Sequence, residues 1–385
     1  MRKKVEARAA TPDIGSGEAR GIRGRSSGER QAKVSKIGTE AANDALPEWK
    51  LEDLYPSMTS AEYQADLDAV EPLCRAFAED YRGKIATVAA APDGAQRLYE
   101  AVKTYESIED RLGRIVSYAG LVYTGDTTDP QRGKFFGDAQ ERITTASSEL
   151  IFFQLELNRL DDALFTRLSA TAPLSHFKPW LDDIRKEKPY QLDDKLEQLF
   201  HEKSVTGRGA WNRLFDETIA ALRFDIDGKP LALEPTLNFM QDRDEAKRKT
   251  AAMALAKTFK DNLRTFTLIT NTLAKDKEIA DRWRGFEDVA DSRHLANRVE
   301  REVVDALVAA VHAAYPRLSH RYYKLKARWF GKDKLEFWDR NAPLPSVEQR
   351  TIPWLEAKET VLSAYHGFAP EMATIARRFF DEQWI

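Results

Sequence analysis

Six histidines and a single cysteine limit the chemistry open to these 385 residues. A hydrolytic metal site of the H-E-x-x-H kind needs two imidazoles one helical turn apart. A carboxylate between them takes the proton of the metal-bound water. His201-Glu202 begins that pattern, but position 205 is valine, so a second imidazole ligand is absent there. His201 is expected to pack or cap on a short helix beside Phe200. The other histidines are His176, His294, His312, His320 and His366. Asp291 with His294, and Glu197 with His201, stand at helical spacing and could share a metal or a hydrogen bond. With no third ligand in either pattern, the hydrogen bond is the expectation. Pro316 lies between His312 and His320 and breaks their register.

Nucleophilic and phosphate chemistry have less support. No G-x-S-x-G elbow occurs, and that turn is what exposes a serine nucleophile above a sheet. Cys74 stands between Leu73 and Phe77 and is expected to be a small core residue. Gly207-x-Gly209 lacks the third glycine of a dinucleotide loop, and no G-x-x-x-x-G-K-[ST] is present. On these grounds no catalytic, cofactor-binding or metal-ligating residue is assigned.

Composition sets broader limits. A hydrophobic content of 42% with 31% charged residues indicates a globular chain with a heavily charged surface. The net charge of −3 predicts neither a nucleic-acid nor a membrane partner. One cysteine excludes an internal disulfide and a cysteine-based metal site. No apolar run is long enough to cross a bilayer. Met1–Glu40 stands apart, with ten Lys/Arg against five Asp/Glu and almost no large apolar residues. Such a segment cannot offset its ordering entropy by burial. It is expected to be a disordered basic leader, residues 1–44. It has no apolar h-region, and its acidic residues Glu6, Asp13, Glu18 and Glu29 argue against a targeting leader.

The elements that would position any site read mostly as helices. Trp49, Leu51, Leu54 and Tyr55 form an apolar opening able to dock on a folded body. Thr59-x-x-Glu62 has the form of a capping box. Tyr63, Leu67, Val70, Phe77 and Tyr81 make one stripe, which Pro72 should kink or split. Leu98 to Tyr123 keeps spacings of three and four and predicts a long buried-face helix. A polar turn at Thr124–Pro130 leads to a second stripe from Phe136 to Leu157, so the two should form an antiparallel hairpin. Shorter helices are expected near 163–170, 177–186, 193–203 and 210–221. Arg223–Leu233, turning at Asp227-Gly228, is the clearest β-hairpin signal. Helix should return from Asp244, with Ala251, Leu255, Phe259, Leu263, Phe266, Ile269 and Leu273 along one face. The charges of Arg243–Arg284 read as a solvated face. Another helix is expected over 299–314.

Two later stretches stand out. Tyr322, Leu325 and Trp329 recur at helical spacing, Gly331 should stop that helix, and Lys334–Asp339 alternates as a short half-buried strand would. Pro316–Arg340 holds eight Lys/Arg against three Asp/Glu, interleaved with aromatic residues. That mixture could bind single-stranded nucleic acid. The preferred reading is an amphipathic helix with its basic residues in solvent. From Pro370, the residues Met372, Ile375, Ala376, Phe379, Phe380 and Trp384 form a strong amphipathic match with no closing signal. That helix expects a partner surface, and self-association through it is anticipated.

The segment Y-Y-K-L-K-A-R-W-F-G-K-D-K-L-E-F-W-D-R-N-A-P-L, residues 322–344, resembles the lead into the catalytic region of oligoendopeptidase F-like zinc peptidases, the thimet oligopeptidase group. L-P-E-W-K-L-E-D-L-Y-P-S resembles that family's opening. Ser117–Tyr123 looks like its N-terminal lobe, and Asp242–Lys249 with Asn271–Lys277 looks like its middle helices. The resemblance covers about 45–385. It implies a mainly α fold around a channel that admits short peptides, with zinc held by H-E-x-x-H and a later glutamate. No counterpart of those four residues is present, so none is carried over.

The resulting expectation is a mainly α, incomplete zinc-oligopeptidase fold: a multi-helix lobe with a long antiparallel helical hairpin and one or two small β elements. It divides into a leader (1–44), an N-terminal helical lobe (45–205) and the beginning of a catalytic region (206–385), truncated before the zinc helix. The full-length enzyme would cut internal bonds of short peptides in the cytoplasm. This chain would bind no zinc and be inactive alone. The alternative is a non-catalytic helical module, derived from such a peptidase, that binds a protein or nucleic-acid partner.

Overall fold

The computed structural model describes residues 48–345 and 350–385. The proposed leader lies outside these residues. Lys50–Leu54 runs through a short 3-10 turn, and Tyr55, only 1% exposed, anchors it in the core. Leu51 and Leu54 pack partly against that core, while Trp49 stays in solvent. Helix α1 (Ala61–Tyr81) is capped by Ser60, whose Oγ accepts from the Tyr63 amide at 3.3 Å. The cap is thus one residue later than the Thr59 pattern suggested, and Glu62 falls at N2, too early to close a capping box. Pro72 also fails to break α1. Beside the Asp68 carbonyl that the imino acid leaves without its helical donor, Arg142 donates to Leu67 O and to the Asp68 carboxylate, both at 3.1 Å.

Helix α2 (Ile85–Ala90) meets the start of α3 (Gly94–Gly125) so closely that a Cβ on Gly94 would lie 2.5 Å from Ala89 O. At 32 residues, α3 is about 48 Å long. Leu98, Val102, Tyr105, Leu112, Ala119 and Tyr123 are buried along it as the spacing predicts; Ile115 and Tyr118 are buried where Val116 is only half-covered. Asp129 caps α4 (Pro130–Ser148), which packs along α3 as the expected hairpin. The second stripe is not one helix. It breaks at Glu149-Leu150 and resumes as α5 (Ile151–Arg159). Arg82 stabilises the break by donating to Glu149 O at 2.9 Å and pairing with its carboxylate at 2.6 Å.

Helices α6 (Asp162–Ser169), α7 (Lys178–Glu187), α8 (Asp194–Lys203) and α9 (Ala210–Ala221) follow within a residue or so of expectation. One continuous apolar core runs from Tyr55 to Ile184. Phe77, Tyr105 and Phe153 meet at its centre with ring centroids 5.0–6.0 Å apart. Cys74 is fully buried there.

Strands β1 (Phe224–Ile226) and β2 (Lys229–Leu231) form an antiparallel hairpin. Asp227 and Gly228 turn it with φ of 53° and 81°, the pair of positive values that matches strand twist. Leu233 does not extend the strand but opens α10 (Leu233–Phe239). The next helix is divided at Asn262 into α11 (Glu245–Asp261) and α12 (Leu263–Arg284), so the single apolar face expected there is interrupted and Leu263 is exposed. The Asn262 side chain caps the break on Thr258 O at 2.9 Å. Helices α13 (Asp291–Ala296) and α14 (Arg301–Ala314) come next, α14 with nearly every side chain in solvent.

Helix α15 (Ser319–Trp329) ends as anticipated at Gly331, φ 66°, with Lys332 N bonded to Ala327 O and Gly331 N to Arg328 O. Arg321, Lys324 and Arg328 lie in solvent as expected, but the apolar stripe is not covered and one lysine is. Tyr322, Leu325 and Trp329 are exposed, whereas Lys326 and Ala327 are buried. Residues 334–339 are no strand. Phe337–Asp339 is a 3-10 turn, held by reciprocal bonds between Glu336 and Asp339. Helices α16 (Trp354–Phe368) and α17 (Pro370–Asp381) pack on one another, with Trp354 against Phe380 and Lys358 bonded to Asp381 at 2.8 Å. The chain end then returns to its start. Lys50 N donates to Gln383 O at 2.9 Å, and Trp384 Nε1 to Asp53 at 3.0 Å.

Candidate functional site

His201 sits on the last turn of α8, a helix whose first amides are capped by Asp193 at 3.1 Å. Its Nε2 lies 2.8 Å from Ser147 Oγ on α4. One turn earlier, Glu197 holds Arg284 of α12 through two bonds of 2.7 and 2.8 Å and accepts from the Leu192 amide at 2.9 Å. Burial acts to raise the Glu197 carboxyl pKa. The Arg284 bonds and the Leu192 amide outweigh it and hold the group below its ordinary range. Arg284 is raised in turn by its bonds to Glu197. These groups wall a cavity of about 450 Å³ with Tyr105, Glu109 and Gln154.

The two pairs read from spacing do not bond internally. Glu197 belongs to Arg284, and His201 to Ser147. Asp291 takes Arg301 and the Asp288 amide, away from His294. Val205 lies beyond α8, in a π turn whose Gly207 has non-helical φ and ψ. The rings of His312 and His320 lie 5.3 and 6.3 Å from that of Tyr315. Among the described residues no three His, Cys, Asp or Glu side chains converge as metal ligands. Cys74 is packed in the lobe core, and burial pushes its thiol up to about 12.

A second polar centre was not anticipated. Arg248 on α11 is 1% exposed and donates to Asp242 O, Arg243 O, Trp338 O and the Asp339 carboxylate at 2.6–3.2 Å. Asp339 also accepts from Lys332 at 2.7 Å and the Glu336 amide at 3.1 Å. Burial acts to raise Asp339, and the Lys332 and Arg248 bonds override it, so the carboxyl is held low. Lys326 reaches Arg340 O at 2.8 Å. The Asp-Arg-Asn-Ala-Pro segment after α15 is thereby tied to α11. Charge patterning alone reads Arg248 and Lys326 as solvated cations. Each lies over the Phe330 ring at 5.7 Å, a neighbour legible in the sequence for Lys326, four residues before it, and not for Arg248.

Beyond these centres the second half presents bare apolar faces. Among exposed large apolar side chains of the described residues, only Trp49 and Leu73 precede Leu199. Leu307, Leu318, Leu355, Phe368 and Ile375 are each more than half exposed.

Comparison with known proteins gives this division a context. A family model described as Oligopeptidase F matches residues 156–224. Oligopeptidase PepF of Bacillus subtilis is 26% identical over 365 residues, 92% of this chain and 52% of that protein. Group B oligopeptidase PepB of Streptococcus agalactiae is 24% identical over 302 residues, 76% of this chain and 50% of that protein. The crystal structure of oligoendopeptidase-F from Enterococcus faecium superposes with a TM-score of 0.67 at 18% identity, covering 82% of this chain and 64% of that one. In sequence and in fold the chain is similar to these oligoendopeptidases. It spans about half the length of the curated relatives it matches. The family model covers α6–α9 and the start of β1, the stretch that carries Glu197 and His201.

Proposed function

We propose that this chain forms one wall of a zinc-dependent oligopeptidase that cuts internal bonds of short peptides. Residues 45–205 would be a finished lobe, and 206–385 the beginning of a catalytic region that further polypeptide completes. The observation that carries this reading is the contrast in burial. The core from Tyr55 to Ile184 is closed, whereas α14–α17 leave their apolar residues in solvent. Exposed apolar area of that extent marks an interface. The relationship to PepF over 92% of this chain, but 52% of PepF, supports polypeptide of comparable length as its cover.

The described residues do not fit a zinc site. His201 is engaged by Ser147, Glu197 is neutralised by Arg284, and the residue four beyond His201 is Val205. No hydrolytic step is assigned to this chain. Its role in the reading is to shape the space that short peptides enter.

The test is complementation. The C-terminal part of PepF, beyond the matched region, is added to this chain with zinc, and cleavage of a quenched-fluorescent short peptide is followed. Turnover confined to the mixture is expected. A mixture no more active than its separate parts contradicts the reading.

A further inference from the structure

We propose that the outer face of α15 is a docking surface for an acid-flanked amphipathic helix from the polypeptide that completes the oligoendopeptidase F-like fold. This deepens the preceding reading and rests on it.

Two parallel ridges carry the argument. Leu318, Tyr322, Leu325 and Trp329 follow spacings of four, three and four, and are 60, 45, 39 and 47% exposed. Arg317, Arg321, Lys324 and Arg328 repeat those spacings one residue earlier and are also exposed. An offset of one residue is about 100° around a helix axis. A cationic ridge therefore runs beside an apolar one for about 16 Å, starting in the turn before α15. The ridges are fixed in direction, because the opposite side of α15 is held by buried Ala327 and by Lys326 on Arg340 O.

The cations are unspent. Among the described residues none of the four has a carboxylate within ion-pair distance, whereas Lys275, Lys277, Arg282 and Arg284 on α12 are each paired. Asp333 and Glu336 line the adjoining hollow, but Glu336 is engaged in the turn at Asp339. An occupant must therefore bring apolar side chains and, on one flank, carboxylates. An amphipathic helix supplies both at the same three-and-four spacing. Half of the apolar ridge is leucine, which gives a nucleic-acid base no aromatic plane to stack on. The α17 helix of a second copy is a poor match, since Arg377 and Arg378 accompany its apolar residues.

Three designed helical peptides of about 20 residues test this. They share one leucine ridge and differ only in a flank of Glu, Gln or Lys. Binding to the full chain is read by fluorescence anisotropy beside a single-stranded oligo-dT. The Glu peptide should bind best and weaken about tenfold between low and high salt. The Lys peptide should fail. The triple variant Arg321→Glu, Lys324→Glu, Arg328→Glu changes exposed positions only, and circular dichroism checks its fold. It should reverse the preference, so that the Lys peptide binds and the Glu peptide does not. Equal binding of all three peptides, preference for oligo-dT, or no response to the triple variant overturns the proposal. If complementation restores cleavage while the charge swap fails, only this inference falls. If the swap works while complementation fails, α15 still docks an acidic helix but the peptidase role falls.

Discussion

Arg248 Nη2 lies 2.6 Å from Asp339 Oδ1, with the two side chains 1% and 0% exposed. This pair joins α11 to the segment leaving α15 across 91 residues of sequence. Its removal should be costly, because either partner alone is a buried, uncompensated charge. Asp339→Ala should lose roughly 3–5 kcal/mol of unfolding free energy. Urea titration followed by the fluorescence of neighbouring Trp338 measures it. A loss below 1 kcal/mol would mean the guanidinium finds water or another acceptor.

The same carboxyl sets an acid limit. Asp339 is held below its ordinary value in the folded protein, so its contribution is present above the unfolded value of about 3.9. It is lost as pH falls through the lower folded value. Glu197 behaves alike with Arg284. Stability should therefore fall steeply below about pH 4, and less steeply in Asp339→Asn and Glu197→Gln. Denaturation midpoints recorded at successive pH values check the sign.

Cys74 gives a reporter of the lobe core. Its thiol is fully buried and pushed up to about 12. An aromatic disulfide reagent at pH 8 should leave it unmodified in the native chain and label one equivalent in urea. Phe153→Ala, at the centre of that core, should cost roughly 3–5 kcal/mol and bring labelling to lower urea.

The exposed faces predict association. Leu307→Glu with Val311→Glu on α14 should lower self-association measured by light scattering while changing stability by less than about 0.5 kcal/mol, because both side chains are already in solvent. A stability loss of several kcal/mol would show that α14 is covered within the chain.

The N-terminal lobe was legible because its helices bury one face against their neighbours, so period and burial coincide from Tyr63 to Ile184. Pro72 misled because a side chain from α4 supports the helix from outside, which no local pattern encodes. The Lys334–Asp339 alternation misled because Arg248, far away in sequence, fixes Asp339 in a turn. On α15 the apolar stripe was found but its burial was not. Spacing shows which side chains share a face, not whether anything covers it. That His201 lacks a second imidazole four residues on is readable in the sequence; its Ser147 partner, 54 residues away, is not.

The most direct test is to incubate the purified chain with zinc and a quenched-fluorescent short peptide. The account predicts no cleavage above that of buffer, since among the described residues no three His, Cys, Asp or Glu side chains converge as metal ligands. Turnover that rises with zinc and disappears with a chelator would contradict it.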